Sequence, residues 1–278
     1  MLRTASNTIF ALVAFAFNSI LCRLALRGEE ADAAGFTVVR LASGAIALIV
    51  ISYFFRKGKG SIKSGSWPSA FFLFAYAVCF SFAYLGLTAG TGALILFGSV
   101  QMTMIALTIF RGERPAALEW LGLAVALGGL VYLVFPGLTS PPLASSLLMA
   151  AAGAAWGLYT LRGKGSGDPL ANTTGNFVRS LPFAAIVAIV YLPNLQLSTR
   201  GIVLAVLSGA VTSGVGYTIW YAAIKHHTAT RAAVLQLAVP VIAAVFGILI
   251  LREAATMRLG IAAALILGGI SLTILSKK

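Results

Sequence analysis

Charge is what this chain of 278 residues most conspicuously lacks. Charged side chains make up 10% of it, whereas a soluble domain carries about 25%. Only seven residues are acidic, and none falls at the centre of an apolar run. So few charges cannot cover a globular surface of this size, so the solvent of most of the chain has to be lipid. Histidine is almost absent too. The two present, His226 and His227, are adjacent, so on a helix they would point to different faces and could not hold one metal ion together. They read as part of a solvated loop. The two cysteines, Cys22 and Cys79, lie in separate apolar runs and read as small buried hydrophobes, not a disulfide. HExxH, GxSxG and Walker motifs are missing, as is any pair of intramembrane carboxylates. These absences argue against an enzyme, and no metal or cofactor is expected.

What is present is hydrophobic. Apolar residues make up 59% of the chain, and the mean hydropathy is +0.96. A spanning helix needs roughly 20 mostly apolar residues. The pattern predicts ten of them, over about 4–25, 35–55, 67–87, 90–110, 116–135, 143–162, 172–193, 200–222, 229–250 and 257–275. The first could pass for a signal peptide, but its apolar stretch is too long and it belongs to a repeat described below, so it reads as an uncleaved span. The expected class is an all-α membrane protein. The net charge of +13 would suggest nucleic acid in a soluble protein. Here the basic residues sit mainly in loops, so no nucleic acid is needed to explain them. With ten spans, twelve basic residues fall on the side of both termini and five on the other. The positive-inside rule then puts both termini in the cytoplasm of a multi-pass protein in the inner (plasma) membrane.

The chain also repeats itself. Glu113 and Glu253, Thr88 and Thr228, Gly128 and Gly268, and Gly129 and Gly269 each stand 140 positions apart without a gap. Matches among apolar residues are cheap. A shared glutamate in a turn, followed by a shared Gly-Gly in the next helix, is not. Earlier in each half the offset is 139, pairing Phe17 with Trp156, Arg23 with Arg162 and Arg40 with Arg179. The unit is therefore five helices, 1–138 and 139–278. Five is odd, so the second copy must insert upside down. Ten transmembrane helices in two inverted five-helix repeats are a recurrent architecture of secondary transporters, with the solute site near the midplane.

This arrangement, with Glu113 or Glu253 in the turn before a Gly-rich closing helix, resembles the drug/metabolite transporter superfamily. Phe17-Asn18-Ser19 and Trp156-Gly157-Leu158-Tyr159 resemble the first helix of each unit in its EamA-type exporters. The resemblance covers nearly the whole chain. It implies an inner-membrane secondary carrier that exports small metabolites, most readily amino acids, by alternating access. The partners expected are therefore a small-molecule solute and the lipid bilayer. The alternative is a proton-coupled multidrug or other metabolite exporter. An antiporter of cationic drugs needs a buried carboxylate. None is visible, so an uncoupled carrier of aromatic or other neutral amino acids fits better.

Lipid penalises polar groups, so those deep in spans should face a protein interior. Asn18, Tyr76, Gln101, Trp156, Tyr217 and Gln236 are the candidates to line a cavity, placed on helices one, three, four, six, eight and nine. Arg40 and Arg179 are equivalent in the two halves. Arg40, near its helix start, can snorkel to the interface, and Arg179 is the better placed to meet a substrate carboxylate. Trp220 and Tyr221, near a helix end, suit an aromatic belt. Glu113 and Glu253 are expected to cap helix starts or pair with Arg114 and Arg252. Pro240 blocks the hydrogen bond to the Gln236 carbonyl and Pro182 the bond to Val178, so both mark a possible hinge or helix break.

Overall fold

In lipid, a backbone has to satisfy its own hydrogen bonds, and this chain does so with helices. The computed structural model describes residues 2–55, 64–110, 117–135, 137, 140–163, 167–224 and 235–275. The turn holding Glu113 and Arg114, the basic stretch 56–63, the His226-His227 pair and Arg231 lie outside the described residues. The elements are α1 (Leu2–Arg27), α2 (Ala33–Phe55), α3 (Trp67–Ala83), α4 (Ala89–Phe110), α5 (Ala117–Val134), α6 (Leu143–Gly163) and α7 (Pro169–Tyr191). Next comes α8, built from Thr199–Val206, a π-helical stretch Leu207–Val215, and Gly216–Ile224. Then follow α9 (Ala238–Leu251) and α10 (Met257–Leu275). Seven of these helices are long and apolar enough to cross a membrane, and α3, α9 and α10 are shorter apolar ones. The protein is an all-α, multi-pass membrane protein, with ten helices among the described residues. Among the described residues the only extended pairing is one isolated bridge, Ala31 to Leu197.

Side chains in the connecting segments set the helix starts. Ser66 accepts from the Ser69 amide at the head of α3, with Pro68 in the first turn, where its missing N–H costs nothing. Asp168 caps α7 through the Ala171 amide, and Ser198 caps α8 through that of Gly201. Large apolar side chains such as Phe54, Ile189 and Leu249 stay exposed, as a lipid-facing surface requires.

The helices pack in defined pairs. α5 lies against α10, α3 and α4 against α6, α1 against α8 and α9, α2 against α7 and α8, α3 against α7, and α4 against α9. One connector docks onto a distant helix and two others onto each other. Asn172 Oδ1 and Asn176 Oδ1 on α7 accept from the backbone amides of Gly65 and Ser66. At the opposite end Asp32 Oδ2 accepts from the Gln196 amide. The polar run at the start of α7 thus serves as a dock for a loop.

The closest helix approach is between α2 and α8. A Cβ added at Gly209 would lie 2.0 Å from the Arg40 carbonyl oxygen, and one at Gly44 would lie 3.0 Å from the Gly209 carbonyl oxygen. No side chain larger than hydrogen fits at Gly209, and that contact brings Arg40 within reach of Ser213, about one turn further along α8. Gly209→Ala is therefore expected to destabilise the fold by about 3 kcal/mol through overpacking. Gly128, whose added Cβ meets nothing within 4 Å, should tolerate alanine with a gain of about 0.5 kcal/mol. Thermal unfolding in detergent checks both. Equal melting temperatures for the two variants would contradict this account of the packing.

Candidate functional site

A group of deeply buried polar and aromatic side chains converges at one place. Asn18 on α1, Arg40 on α2, Tyr76 on α3, Trp156 on α6, and Ser208, Thr212, Ser213 and Tyr217 on α8 are each no more than 5% exposed. Asn18 Oδ1 accepts from Ser208 Oγ and Thr212 Oγ1. This fixes the amide so that Nδ2 donates to the Tyr76 hydroxyl at 3.1 Å. Both hydroxyl donors come from the π-helical stretch of α8. Such stretches often mark functional sites, because the widened turn redirects side chains.

Arg40 lies behind this cluster. Its Nε donates to Ser213 Oγ at 3.2 Å, and its Nη2 donates to the hydroxyls of Tyr76 at 3.2 Å and Tyr217 at 3.0 Å. The guanidinium carbon stands 5.1 Å from the centre of the Tyr76 ring and 4.9 Å from that of Phe80. Both are cation–π distances. Its Nη1 is buried with no partner. No described carboxylate reaches the cluster. Glu29, Glu30 and Asp32 lie in the α1–α2 connection, Glu119 in the first turn of α5, Asp168 at the head of α7 and Glu253 between α9 and α10.

Aromatic rings wall the space in front. Trp156 packs against Tyr217 (4.5 Å between centroids), Tyr76 (5.0 Å) and Tyr159 (5.4 Å). Phe15 meets the edge of Trp156 at 5.9 Å. With Asn18, Leu96 and Phe97 they enclose a cavity of about 10 Å³, room for about one water.

Four of the residues expected from the sequence are therefore brought together: Asn18, Tyr76, Trp156 and Tyr217. Gln101 and Gln236 are buried, and Gln101 Nε2 and Gln236 Oε1 lack partners, but neither borders this cavity. The described part of helix nine adds nothing to the cavity lining, and helix two contributes Arg40 behind it. Arg40 and Arg179 exchange the places expected of them. Arg40 does not snorkel: it is 1% exposed, because its face of α2 packs inward on α8. Arg179 donates to the backbone carbonyls of Ser64 and Gly175 and so secures the loop before α3, outside the cluster. Trp220 and Tyr221 are buried and form no belt. α7 runs through Pro182 without a break. Pro240 sits in the first turn of α9, three residues after a turn at Leu237. The hydroxyls of Ser208, Thr212 and Ser213 were visible in the sequence but gave no signal of their partners, because the π winding that turns them toward Asn18 and Arg40 has no sequence mark.

At one end of the bundle, polar contacts tie α1 to the start of α4 and to the turn between α9 and α10. Glu253 pairs with Arg23 of α1, not with its neighbour Arg252, at 3.3 Å. Its other oxygen caps α4 through the Ala89 amide at 2.8 Å. Arg23 also donates to the Tyr84 carbonyl, and Arg27 to that of Leu251. Arg252 takes a left-handed conformation, φ 52°, which ends α9 and turns Glu253 inward. Glu253→Ala removes both the ion pair and the cap and should cost about 2–3 kcal/mol. Glu253→Gln keeps an acceptor for Ala89 and should cost less. Thermal unfolding in detergent separates the two, and an unchanged melting temperature for the alanine variant would show that this end is held otherwise.

Comparison with known proteins agrees with this architecture. The profile of the EamA-like transporter family matches residues 143–275. An uncharacterized protein of Pseudomonas aeruginosa is 48% identical over 270 residues, covering 97% of this chain and 94% of its own. A crystal structure with 20% sequence identity superposes with a TM-score of 0.68 over 98% of both chains. At that identity the likeness speaks for the fold alone.

Proposed function

On the premise that the chain belongs to the EamA-like transporter family, we propose that it is a secondary carrier exporting small metabolites, amino acids foremost, by alternating access. The observation that carries the reading is the central cluster. Its side chains come from both proposed halves, 1–138 and 139–278, and its cavity is too small for any metabolite until those halves move apart. Inverted halves that rock about a midplane site are the recurrent device for such movement.

The packing supports the two halves. If each helix is exchanged for the one five places along, α1–α8 becomes α6–α3 and α1–α9 becomes α6–α4. In the same way α2–α8 becomes α7–α3, while α2–α7, α4–α9 and α5–α10 map onto themselves. A chain without internal symmetry has no reason to keep its neighbours under this exchange. The excess of basic residues on one side supports termini in the cytoplasm of the inner membrane, which makes the Arg23–Glu253 end the outer one.

The cargo reading rests on the chemistry of the wall. Trp156, Tyr76, Tyr217 and Phe15 offer apolar faces, and Asn18 and the hydroxyls offer hydrogen bonds. That combination suits a small molecule with an aromatic or apolar body and a polar head. The aromatic amino acid exporter YddG is the member of the superfamily whose cargo fits it first. No described carboxylate stands at the site to carry a proton or a cationic drug, which favours an uncoupled carrier over a proton-coupled multidrug exporter.

Flux of labelled amino acids through the purified protein in liposomes tests the proposal. Saturable flux of phenylalanine, tyrosine or another neutral amino acid is expected, unaffected by an imposed pH gradient. Trp156→Ala, which removes the ring that three tyrosines pack against, should lower the rate about tenfold. Absence of flux for every amino acid would refute the cargo assignment, and flux that needs the pH gradient would refute the uncoupled mechanism.

A further inference from the structure

We infer that the site takes its cargo by a carboxylate group, received by the hydroxyl pair of Tyr76 and Tyr217 with the charge of Arg40 directly behind it. The inference rests on the carrier reading above and names the chemical class of the cargo.

The hydrogen bonds of the cluster all run in one direction. The Tyr76 oxygen accepts from Asn18 Nδ2 and Arg40 Nη2, and stands 3.4 Å from the Tyr217 hydroxyl. The Tyr217 oxygen accepts from the same Nη2. With Tyr217 donating to Tyr76, the pair keeps one phenolic proton to give, that of Tyr76. No acceptor for the Tyr76 proton is found among the described residues, and both rings border the cavity. Arg40 Nη1 is a further donor with no partner. Asn18 is not that acceptor, because it turns its Nδ2, a donor, toward Tyr76 and its carbonyl oxygen toward Ser208. The cluster is thus an excess of donors facing a small space.

The charge points the same way. Arginine stays protonated in proteins, and an isolated buried charge is among the costliest features a membrane protein can hold. A structural arginine is normally paired. Arg40 meets only hydroxyls and the faces of Tyr76 and Phe80, and none of the described acidic residues stands near it. A counter-charge that the protein does not supply can come with the cargo. A carboxylate provides that charge together with several acceptor sites for the waiting donors, and a planar guanidinium behind them suits it in geometry. An amine-only cargo would bring like charge to Arg40 and donors to a site already full of them.

Binding of phenylalanine, 3-phenylpropanoate and phenethylamine to the whole protein in detergent tests this. The three share one aromatic body and differ in carrying carboxylate and ammonium, carboxylate alone, or ammonium alone. Thermal shift and calorimetry should detect both carboxylates, or the des-amino acid alone, and no phenethylamine. Arg40→Gln should weaken carboxylate binding at least about 30-fold, the loss expected when one member of a buried charge pair is removed, and Arg40→Lys should restore part of it. If Arg40→Gln does not fold, Tyr76→Phe and Tyr217→Phe keep the cation and break the hydroxyl pair, and each should weaken carboxylate binding severalfold. Phenethylamine binding as well as the acids, or carboxylate affinity unchanged in Arg40→Gln or in both tyrosine variants, would overturn the inference. The two readings fail separately. If 3-phenylpropanoate binds through Arg40 while no amino acid is carried, the amino-acid assignment falls and the carboxylate site stands. If phenylalanine is carried equally well by wild type and Arg40→Gln, the carboxylate site falls and the amino-acid carrier stands.

Discussion

A positive charge held inside a bundle that lipid surrounds constrains everything near it. Arg40 is 1% exposed, and in hydrocarbon or dry protein its desolvation would cost several kcal/mol. The chain offsets that cost locally. Three hydroxyl oxygens accept from the guanidinium and two ring faces flank it. These contacts come from two helices. Ser213 and Tyr217 come from α8, and Tyr76 and Phe80 from α3, so α2 must lie against both helices to keep its arginine solvated by protein. The glycine at 209 is part of the same constraint, because only a residue without Cβ lets α8 approach the Arg40 carbonyl so closely.

The aromatic wall depends on that arrangement in turn. Tyr76 and Tyr217 are held by their hydroxyls, and their rings then form a slot that Trp156 fills from α6. Phe15 closes the remaining side from α1. Polar anchoring at one end of each tyrosine and ring packing at the other is what a long amphipathic side chain does best when buried. The result is a small cavity with apolar sides and a donor-rich floor, and its size follows from the closeness of helices that also have to solvate a charge.

Much of this was legible in the sequence, and the limits are physical. The ten spans follow from apolar runs of membrane length, and the structure places helices over nearly the same residues. Asn18, Tyr76, Trp156 and Tyr217 could be picked out because lipid leaves a polar or amphipathic residue at mid-span few other reasons to exist. Arg40 was seen and misplaced. Depth along a helix can be counted from sequence, but rotation about its axis cannot where both faces are apolar. A basic residue about two turns from a helix start can therefore either snorkel out or turn inward. Arg179 shows the same ambiguity resolved the other way, on a helix whose opening turns are occupied by a docked loop. The π winding of α8 is equally silent, since Leu207–Val215 reads as ordinary helix.

The equivalence of Arg40 and Arg179 in the repeat makes their divergence informative. Inverted duplication would place two arginines at matched depths on opposite sides of the midplane, and a symmetric site would use both. Only one reaches the cluster, and the polar partners it finds there, Ser213 and Tyr217, belong to the other half. The second arginine is bound to backbone carbonyls that no cargo needs. The proposed repeat would therefore keep its symmetry in packing, where α2–α7 and α5–α10 map onto themselves, while giving it up in chemistry. A small cargo with one carboxylate, as proposed, needs one cation, and a second beside it would add the full cost of burial with nothing to offset it.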